Sequence, residues 1–386
     1  MKFVHLSDLH IGKQLHRYNM SEEQRSVLRQ IVELSCAQQP DAVIMAGDIY
    51  DSPVPSAEAV SIFDDFLTQL CRQLPKAAIF IIAGNHDSAK RIDFASSILA
   101  KHNVYIAGMP PIKPEEYIKR ITLEDEYGEV DFYLLPFVKP AYVRHVFEED
   151  IVSYDAAVRR LLEREKIDTS KRNVLISHQF YTAGGAEPLT CDSEVRFVGG
   201  IENVDVSVLE PFEYAALGHI HRPQKMGKEI YRYCGTPLQY SVSEAGENKS
   251  VTFVELNEKG SAPVLRELAI IPPRRVRRME GTLAEILESV SEEERHDFVS
   301  ITLKDEVEAY LPKERLEEKF DHILEIRIDN ARTRKLLELE EEDIEQLKPY
   351  EAFVAFFEEM NGRAMTEQED ALLREIMNEE IEGAAE

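Results

Sequence analysis

The sequence has little cysteine and no long apolar run. No apolar stretch approaches the roughly 20 residues of a transmembrane helix. The first segment, MKFVHLSDLH, turns polar after one short apolar run, so it does not have the pattern of a signal peptide. The four cysteines are scattered and form no C-x-x-C motif, which predicts free thiols in a reducing cytoplasm. They are Cys36, Cys71, Cys191 and Cys234.

An excess of acidic residues, 72 against 45 basic ones, gives a net charge of −27, and this charge is unevenly distributed. From Met279 to the end, 33 acidic residues stand against 12 basic ones. A nucleic-acid-binding protein usually carries a basic surface. If this chain acts on nucleic acid, metal ions or a partner must therefore supply much of the positive charge.

Short apolar runs alternate with helical patterns in the first part of the chain, which is typical of a layered α/β core. The helical pattern from Ser21 to Gln38 predicts a cap at Ser21, and the next pattern predicts a buried face with Val60, Phe63, Leu67 and Leu70. Later runs lack intervening helices and predict a second, more antiparallel set of strands. The runs of the first set are KFVHLS, AVIMAG, AIFIIAG, NVLISH and YAALGH, and those of the second are EVDFYLLPFV, EIYRYCG, SVTFVEL and PVLRELAII.

The run IIPPRRVRR marks a boundary, after which the pattern becomes β-α-β-α-β and then helical only. We therefore predict a main domain over 1–272, a small α+β domain over 273–332 and a helical segment over 333–386. The arginines between 274 and 278 have two interpretations, a contact with phosphate or a solvated strand edge.

Polar side chains follow the predicted strands of the main domain. Because ligands in open α/β sheets gather outside the carboxyl ends of strands, these side chains are expected to converge on one site. Oxygen and nitrogen donors without a thiolate suit hard to borderline divalent metals, with Mn²⁺ favoured. The residues are Asp8, His10, Asp48, Asn85, His86, Asp87, His178, His219 and His221.

The segments DLH, GDIYD, GNHD, SH and GHIH resemble the five motifs of the calcineurin-like metallophosphoesterases. The resemblance implies an α/β/β/α core and two divalent ions, most often Mn²⁺. It assigns one ion to Asp8, His10, Asp48 and His221. It assigns the other ion to Asp48, Asn85, His178 and His219, with Asp48 bridging the two.

Two further residues are implied to be catalytic. In this family the histidine of the GNHD segment, here His86, is not a metal ligand and is placed to protonate the leaving oxygen. Asp51 stands where related phosphatases carry an aspartate that orients this histidine. We therefore expect an Asp51–His86 pair.

Within the family, the layout of the whole chain resembles bacterial DNA nuclease subunits that act with a coiled-coil ATPase. The resemblance implies cleavage of double-strand ends and of single-stranded or hairpin DNA in repair, recombination and replication. One alternative is a stand-alone phosphoesterase for a small nucleotide or a phosphoprotein. However, Ser52 and Asp87 differ from the phosphoprotein phosphatase pattern. The other alternative is a scaffold that has lost its metal ligands, but all seven are present here.

The resemblance also implies contacts with other chains. A homodimer would form through the segments SAEAVSIFDDFLTQL and DFASSILAKH, whose alternative role is core packing. In the tail, Pro349 and Gly362 delimit one amphipathic helix, and Thr366 with Glu369 has the spacing of a capping box that begins another. These helices would dock on the coiled coil of the ATPase or pack within the chain itself.

Overall fold

The computed structural model describes residues 1–147, 150–194, 202–305 and 312–329, with 350, 353–354, 356–357, 363–366, 368–370 and 372–374 of the tail. The strands in these residues are β1 (Lys2–Leu6), β2 (Gln14–Leu15), β3 (Tyr18–Asn19), β4 (Ala42–Ala46), β5 (Ala78–Ile82), β6 (Val104–Ala107), β7 (Lys119–Asp125), β8 (Gly128–Leu135), β9 (Arg172–His178), β10 (Tyr181–Thr182), β11 (Val204–Asp205), β12 (Tyr214–Gly218), β13 (Gln224–Met226), β14 (Lys228–Tyr233), β15 (Lys249–Glu255), β16 (Val264–Ile270), β17 (Val276–Gly281), β18 (Phe298–Leu303) and β19 (His322–Ile328). The α-helices are α1 (Ser21–Gln38), α2 (Ala57–Gln73), α3 (Ala89–Ile92), α4 (Ser96–Leu99), α5 (Pro140–Val143), α6 (Tyr154–Arg164), α7 (Leu283–Ser289) and α8 (Pro312–Glu317). Short 3-10 helices cover Ala100–His102, Val206–Leu209, Val242–Glu244 and Glu294–His296.

Two six-stranded sheets form the core of the main unit. The first has the order β16-β15-β1-β4-β5-β6, and the second has the order β13-β14-β12-β9-β8-β7. The central strands of each sheet are parallel, while β15 and β16 in the first sheet and β7 and β13 in the second are antiparallel to their neighbours. Parallel central strands place their carboxyl ends on one edge, which is where the polar motifs lie.

The sheets pack face to face through a buried aromatic and aliphatic layer. Phe132 of the second sheet lies against Phe80 and Phe3 of the first, with ring centroids 4.7 Å and 5.9 Å away. Outside the first sheet, α1 and α2 bury apolar side chains in a second cluster. Outside the second sheet, α6 buries apolar side chains in a third cluster. The layered α/β/β/α fold expected for the main domain is therefore confirmed.

Two local predictions about strands and caps were wrong. The later strands do not form a separate antiparallel set, since β15 and β16 extend the first sheet while β8 and β14 lie in the second. Ser21 begins α1 but does not cap it. Instead the side chain of Asn19 accepts hydrogen bonds from the Ser21 backbone N–H and hydroxyl. All four cysteines, by contrast, have free thiols as predicted.

The buried face of α2 also differs from the prediction. The helix buries Ala59, Ile62, Phe66 and Leu70, whereas Val60 is 46% exposed. Leu70 is buried as predicted, and Phe63 and Leu67 are partly buried against the same core cluster, so Val60 is the member of the predicted face that was misplaced.

The small α+β region has the predicted element order β17-α7-β18-α8-β19. Its strands form one sheet in the order β17-β18-β19, and α7 begins with a capping box between Thr282 and Glu285. The described residues fall into two compact units, one within 1–278, 291–300 and 320–325, the other within 279–290, 301–319 and 326–386. The three domain boundaries given above remain a prediction.

Parts of the predicted tail helices are described. Thr366 and Glu369 form the predicted capping box, with the Thr366 backbone N–H 2.8 Å from Glu369 Oε2 and the Glu369 backbone N–H 3.3 Å from Thr366 Oγ1. Tyr350 contacts both Asp370 and Arg374, so the two helical segments lie against each other. The predicted ends at Pro349 and Gly362 fall outside the described residues. In the part of the chain that the structure describes, no helix has the length and apolarity needed to span a bilayer.

Candidate metal centre

Both sheets contribute polar side chains to one place at the carboxyl ends of their strands. The first sheet provides residues directly after β1, β4 and β5, and the second provides the end of β9 and the turn after β12. All seven predicted ligands meet here. They are Asp8, His10, Asp48, Asn85, His178, His219 and His221.

One group of donor atoms surrounds His10. Its Nε2 lies 3.1 Å from Nε2 of His221 and 3.7 Å from Oδ2 of Asp48. Asp8 joins this group, because donor atoms of Asp8, His10 and His221 all lie within 4.8 Å of one another. Asp8, His10 and His221 are buried.

A second group surrounds Asn85. Its Oδ1 lies 3.0 Å from Nε2 of His178 and 2.9 Å from Nδ1 of His219. Oδ2 of Asp48 lies 3.3 Å from His178 Nε2. The same Asp48 oxygen therefore lies between the two groups.

These spacings fit divalent cations. Ligand atoms about 2.0–2.2 Å from one ion, separated by angles between a right angle and a tetrahedral angle, lie roughly 3–3.5 Å apart. The shortest donor separations in each group fall near this range. Carboxylate, amide and imidazole donors without a thiolate suit Mn²⁺ and related ions. The residues present therefore fit the two ions that the motifs imply.

The backbone at this site is held in an uncommon conformation. The φ angles of Asp8, His10, Asp48 and His219 are +53°, +42°, +51° and +100°. Non-glycine residues rarely have positive φ, and such strain persists where the surrounding structure holds it in place for function. Here it bends the chain directly after the strands, so that the side chains turn into the site.

Glycines give these side chains room. A Cβ at Gly84 would lie 2.1 Å from Oδ1 of Asp48, and one at Gly47 would lie 2.4 Å from Nδ1 of His178. A Cβ at Gly218 would lie 2.0 Å from the backbone oxygen of Ala46. Each glycine of GD, GNHD and GHIH therefore permits a close approach that a larger residue would block.

Outer contacts orient the imidazoles. Nδ1 of His178 donates to the backbone oxygen of Ala46 at 2.7 Å, which leaves Nε2 as the donor atom for an ion. Nδ1 of His10 lies 3.3 Å from Oδ1 of Asp51. Nδ1 of His221 lies 2.7 Å from Oγ of Ser193, a residue with no recognisable sequence signal.

The electrostatics of the cluster favour bound cations. Burial raises the pKa of Asp8, and the nearby histidines only partly offset this rise. Burial acts in the same direction on Asp48, but His178 and His10 outweigh it and hold the pKa of Asp48 well below its ordinary value. Burial alone would lower the pKa of His178, yet Asp48 raises that pKa to about 9. The carboxylates therefore stabilise positive charge, while burial lowers the pKa of His219 to about 3 and keeps its lone pair free.

His86 and Asp51 lie beside the seven ligands. The His86 ring is 4.8 Å from the His10 ring, centroid to centroid. The expected Asp51–His86 pair exists, but Nδ1 of His86 donates to the backbone oxygen of Asp51 at 3.0 Å. The Asp51 carboxylate instead contacts His10 and Lys13, the latter at 2.8 Å. Asp51 therefore orients His86 through its main chain and His10 through its side chain.

Asp87 has a positioning role that the sequence did not reveal. Its carboxylate accepts hydrogen bonds from the backbone N–H groups of Ile49, Tyr50 and Gly84 at 2.9–3.1 Å. These contacts join the loop after β4 to the loop after β5. They hold Asp48 and Asn85 side by side.

A further cluster resembles a metal site in composition only. Cys191, Glu244 and Glu247 have donor atoms within 4.8 Å of one another. The Lys249 ammonium lies 2.6 Å from Glu244 and 3.3 Å from Glu247, so a cation of the chain itself balances these carboxylates.

Two of the arginines between 274 and 278 also have partners within the chain. Arg274 pairs with Glu22 and Glu23, and Arg277 pairs with Asp297. These ion pairs favour a structural role over a contact with phosphate.

Comparison with known proteins finds similarity to two families along the chain. The calcineurin-like phosphoesterase family matches residues 1–223. The family described as the type 5 capsule protein repressor C-terminal domain matches residues 272–361. A curated protein from Staphylococcus epidermidis, named as the SbcD subunit of the nuclease SbcCD, is 28% identical over 353 residues, which cover 89% of this chain and 90% of that protein.

Solved structures show more distant similarity. The phosphopantetheinyl hydrolase PptH from Mycobacterium tuberculosis is 17% identical, with a TM-score of 0.35 over 60% of this chain and 87% of that one. A dimetal phosphatase from Danio rerio is 14% identical, with a TM-score of 0.38 over 70% of this chain and 99% of that one.

Proposed function

Because the chain belongs to the calcineurin-like phosphoesterase family, we propose that it is a metal-dependent DNA nuclease, the catalytic subunit of an SbcCD-type complex. The observation that carries this proposal is the convergence of seven oxygen and nitrogen donors on one place, with Oδ2 of Asp48 between two groups of them. Similarity to a nuclease subunit along 89% of the chain supports DNA as the substrate.

The proposed ligand sets are those implied by the motifs. Asp8, His10, Asp48 and His221 would hold one ion, and Asp48, Asn85, His178 and His219 would hold the other. Two bound divalent ions, most suitably Mn²⁺, would activate a water molecule as nucleophile and balance the charge that develops on the phosphoryl oxygens.

His86 is the proposed general acid. Since a carbonyl oxygen can only accept, the contact with Asp51 fixes the hydrogen of His86 on Nδ1 and orients the ring. His86 is only partly buried, so a DNA strand can reach it. Its role would be to act as an imidazolium that keeps the Nδ1 hydrogen on Asp51 and passes the Nε2 proton to the leaving oxygen of the cleaved phosphodiester.

Exposed apolar side chains support a homodimer. Phe94 is 80% exposed and Ile98 is 64% exposed, both in the segment DFASSILAKH. Val60 of α2 is exposed as well. A water-exposed phenylalanine beside a second apolar residue is typical of a surface that another chain covers.

The tail is the proposed docking element for an SbcC-type ATPase with a coiled coil. Phe353, Phe356 and Leu372 are each about half exposed, at 47%, 58% and 57%. The two tail segments contact each other, so part of their surface is covered within the chain, as the packing alternative predicts. The three exposed apolar side chains would remain available to a partner. Phe356→Ser with Leu372→Ser should abolish co-purification with the ATPase, and unchanged complex formation would reject this role.

The central experiment is a Mn²⁺-dependent cleavage assay on linear and hairpin duplex DNA, with and without the ATPase. The wild type should cut both substrates, with the linear duplex degraded from its ends when the ATPase is present.

Asp48→Asn should bind fewer than two Mn²⁺ per chain by calorimetry and should not cut DNA. Asp150→Asn, an exposed change between α5 and α6 and outside the two predicted dimer segments, is the matched control and should behave as the wild type. Hydrolysis of a nucleotide ester without any cleavage of DNA would instead support a stand-alone phosphoesterase. The proposed setting is cytoplasmic DNA repair, recombination and replication.

A further inference from the structure

The hydroxyl of Ser193 lies between His221 and a buried carboxylate. Ser193 Oγ is 2.7 Å from Nδ1 of His221 and 2.8 Å from Oε1 of Glu244. Glu244 has no exposed surface, and His221 is 2% exposed. A serine thus connects a proposed metal ligand to a carboxylate that is itself not a ligand.

The contacts around Glu244 show which way these hydrogen bonds run. Lys249, also fully buried, donates to Oε2 at 2.6 Å, and the contacts to Oε1 are donated by other groups as well, so both oxygens of Glu244 act as acceptors. Oε1 accepts from the Ser241 hydroxyl at 2.9 Å and the Tyr240 backbone N–H at 3.2 Å, in addition to Ser193. The single hydroxyl hydrogen of Ser193 therefore points at Glu244, and its oxygen accepts from His221.

This direction determines the tautomer of His221. Its hydrogen must lie on Nδ1, so Nε2 carries the lone pair. Nε2 is the atom that lies 3.1 Å from Nε2 of His10 in the first donor group.

The rest of His221 is held by independent contacts. Its backbone N–H donates to Oε1 of Glu194 at 2.6 Å, and its backbone oxygen accepts from the Thr236 N–H at 3.0 Å. These two contacts fix the main chain of His221. Because they do not involve the ring, the hydrogen bond with Ser193 determines its tautomer.

We propose that Ser193 and Glu244 are positioning residues that hold His221 in the Nδ1–H tautomer and so set the affinity of the metal position that His221 serves. The expected effect on metal affinity rests on the proposed metal-dependent function. The tautomer of His221 does not depend on that function. Hydrogen-bonded partners of a ligand imidazole raise its basicity and fix its orientation, and their loss typically weakens metal binding about 10- to 100-fold.

The test uses the full chain labelled with ¹⁵N-histidine. Long-range ¹H–¹⁵N spectra of the metal-free protein report the tautomer of each imidazole, and the His221 signals are identified by their loss in His221→Gln. Wild type should show His221 protonated on Nδ1, and Ser193→Ala should show a mixture of tautomers. Calorimetry with Mn²⁺ should show one of two ions bound about 10- to 100-fold more weakly in Ser193→Ala, with the other unchanged.

Three further variants separate positioning from general stability. Ser193→Thr keeps the hydroxyl and should restore both readouts. Ser241→Ala removes a hydroxyl from the same Glu244 oxygen without contacting His221, so it should leave the tautomer and both affinities unchanged. Glu244→Gln should weaken the same ion as Ser193→Ala.

The proposal is overturned if Ser193→Ala retains the Nδ1–H tautomer and binds both ions as the wild type does. An equal loss in Ser241→Ala would also overturn it, because the effect would then come from general disturbance. Neither readout involves DNA. A wild type that binds metal and shows the tautomer but cuts no DNA would therefore contradict the proposed nuclease activity and leave the positioning role standing.

Discussion

Nε2 of His10 and Nε2 of His221 are 3.1 Å apart, although the two residues follow strands of different sheets and are separated by 211 positions in the chain. His10 follows β1 in the first sheet, and His221 follows β12 in the second. The two donors can meet only when the sheets pack correctly through the layer around Phe132. Formation of the candidate metal centre is therefore coupled to folding of the whole core.

His86 is the first residue to test. His86→Ala should retain both Mn²⁺ ions and normal DNA affinity but lose turnover about 10²- to 10⁴-fold, since it removes a proton donor and no ligand. Single-turnover cleavage with calorimetry measures both quantities. His145→Ala, which changes an exposed histidine between α5 and α6, outside the two predicted dimer segments, is the control and should match the wild type. Loss of an ion in His86→Ala would instead make His86 a ligand.

Gly84→Ala tests the close packing around Asp48. The added methyl would lie 2.1 Å from the carboxylate and 2.5 Å from the backbone nitrogen of Asp48, so it should displace Asp48 and abolish tight binding of both ions. Calorimetry with Mn²⁺ is the measurement. In the control Gly260→Ala the methyl meets open space, but φ is +87°. That variant should lose about 1–2 kcal/mol of stability and keep both ions. Equal metal loss in both variants would show that instability, not crowding, is the cause.

A buried ion pair predicts how stability depends on pH. Arg172 is 2% exposed, pairs with Asp125 at 2.5 Å and also donates to the backbone oxygens of Gly128 and Asn257. Burial would raise the pKa of Asp125, but Arg172 outweighs it and the net shift is downward. A lowered carboxyl pKa stabilises the fold above the ordinary value near 3.9, and this stabilisation is lost as the pH falls through the lower folded value.

Asp125→Asn should therefore lower the free energy of unfolding by about 1.5–3 kcal/mol at pH 7, since Arg172 keeps its two backbone acceptors. The difference from wild type should shrink progressively below about pH 4. Urea denaturation at several pH values measures it, with the exposed neighbour Glu126→Gln as control. A difference that does not change with pH would mean that Asp125 acts through packing and not through its charge.

Sequence reasoning located the seven proposed ligands because they follow apolar runs in short motifs, and strand ends gather in space. It could not assign β9 and β12 to a different sheet from β1, since apolar runs of similar length carry no information on partners. It also missed the link from His221 to Glu244. That link passes through Ser193, and neither Ser193 nor Glu244 has a distinctive spacing. Contacts between distant segments depend on the assembled core, which the local pattern does not encode.

The apolar face of α2 shows the same limit and leads to the last prediction. Ile62 and Phe66 are buried in the core cluster of the first sheet, whereas Val60 is exposed. If a second copy covers the surface that includes Phe94 and Ile98, removing either apolar side chain should weaken the dimer.

Burial of one such side chain stabilises an interface by about 1.5–3 kcal/mol, so Phe94→Ser should raise the dimer dissociation constant by roughly 10- to 100-fold. Sedimentation equilibrium of the full chain measures it. Ile271→Ser is the control, because Ile271 is also apolar and 65% exposed but follows β16, outside the two predicted dimer segments. A monomeric wild type, or equal weakening by Ile271→Ser, would remove the Phe94 surface from the dimer interface. Full metal binding in a monomeric Phe94→Ser variant would show that each chain builds its centre without the second copy.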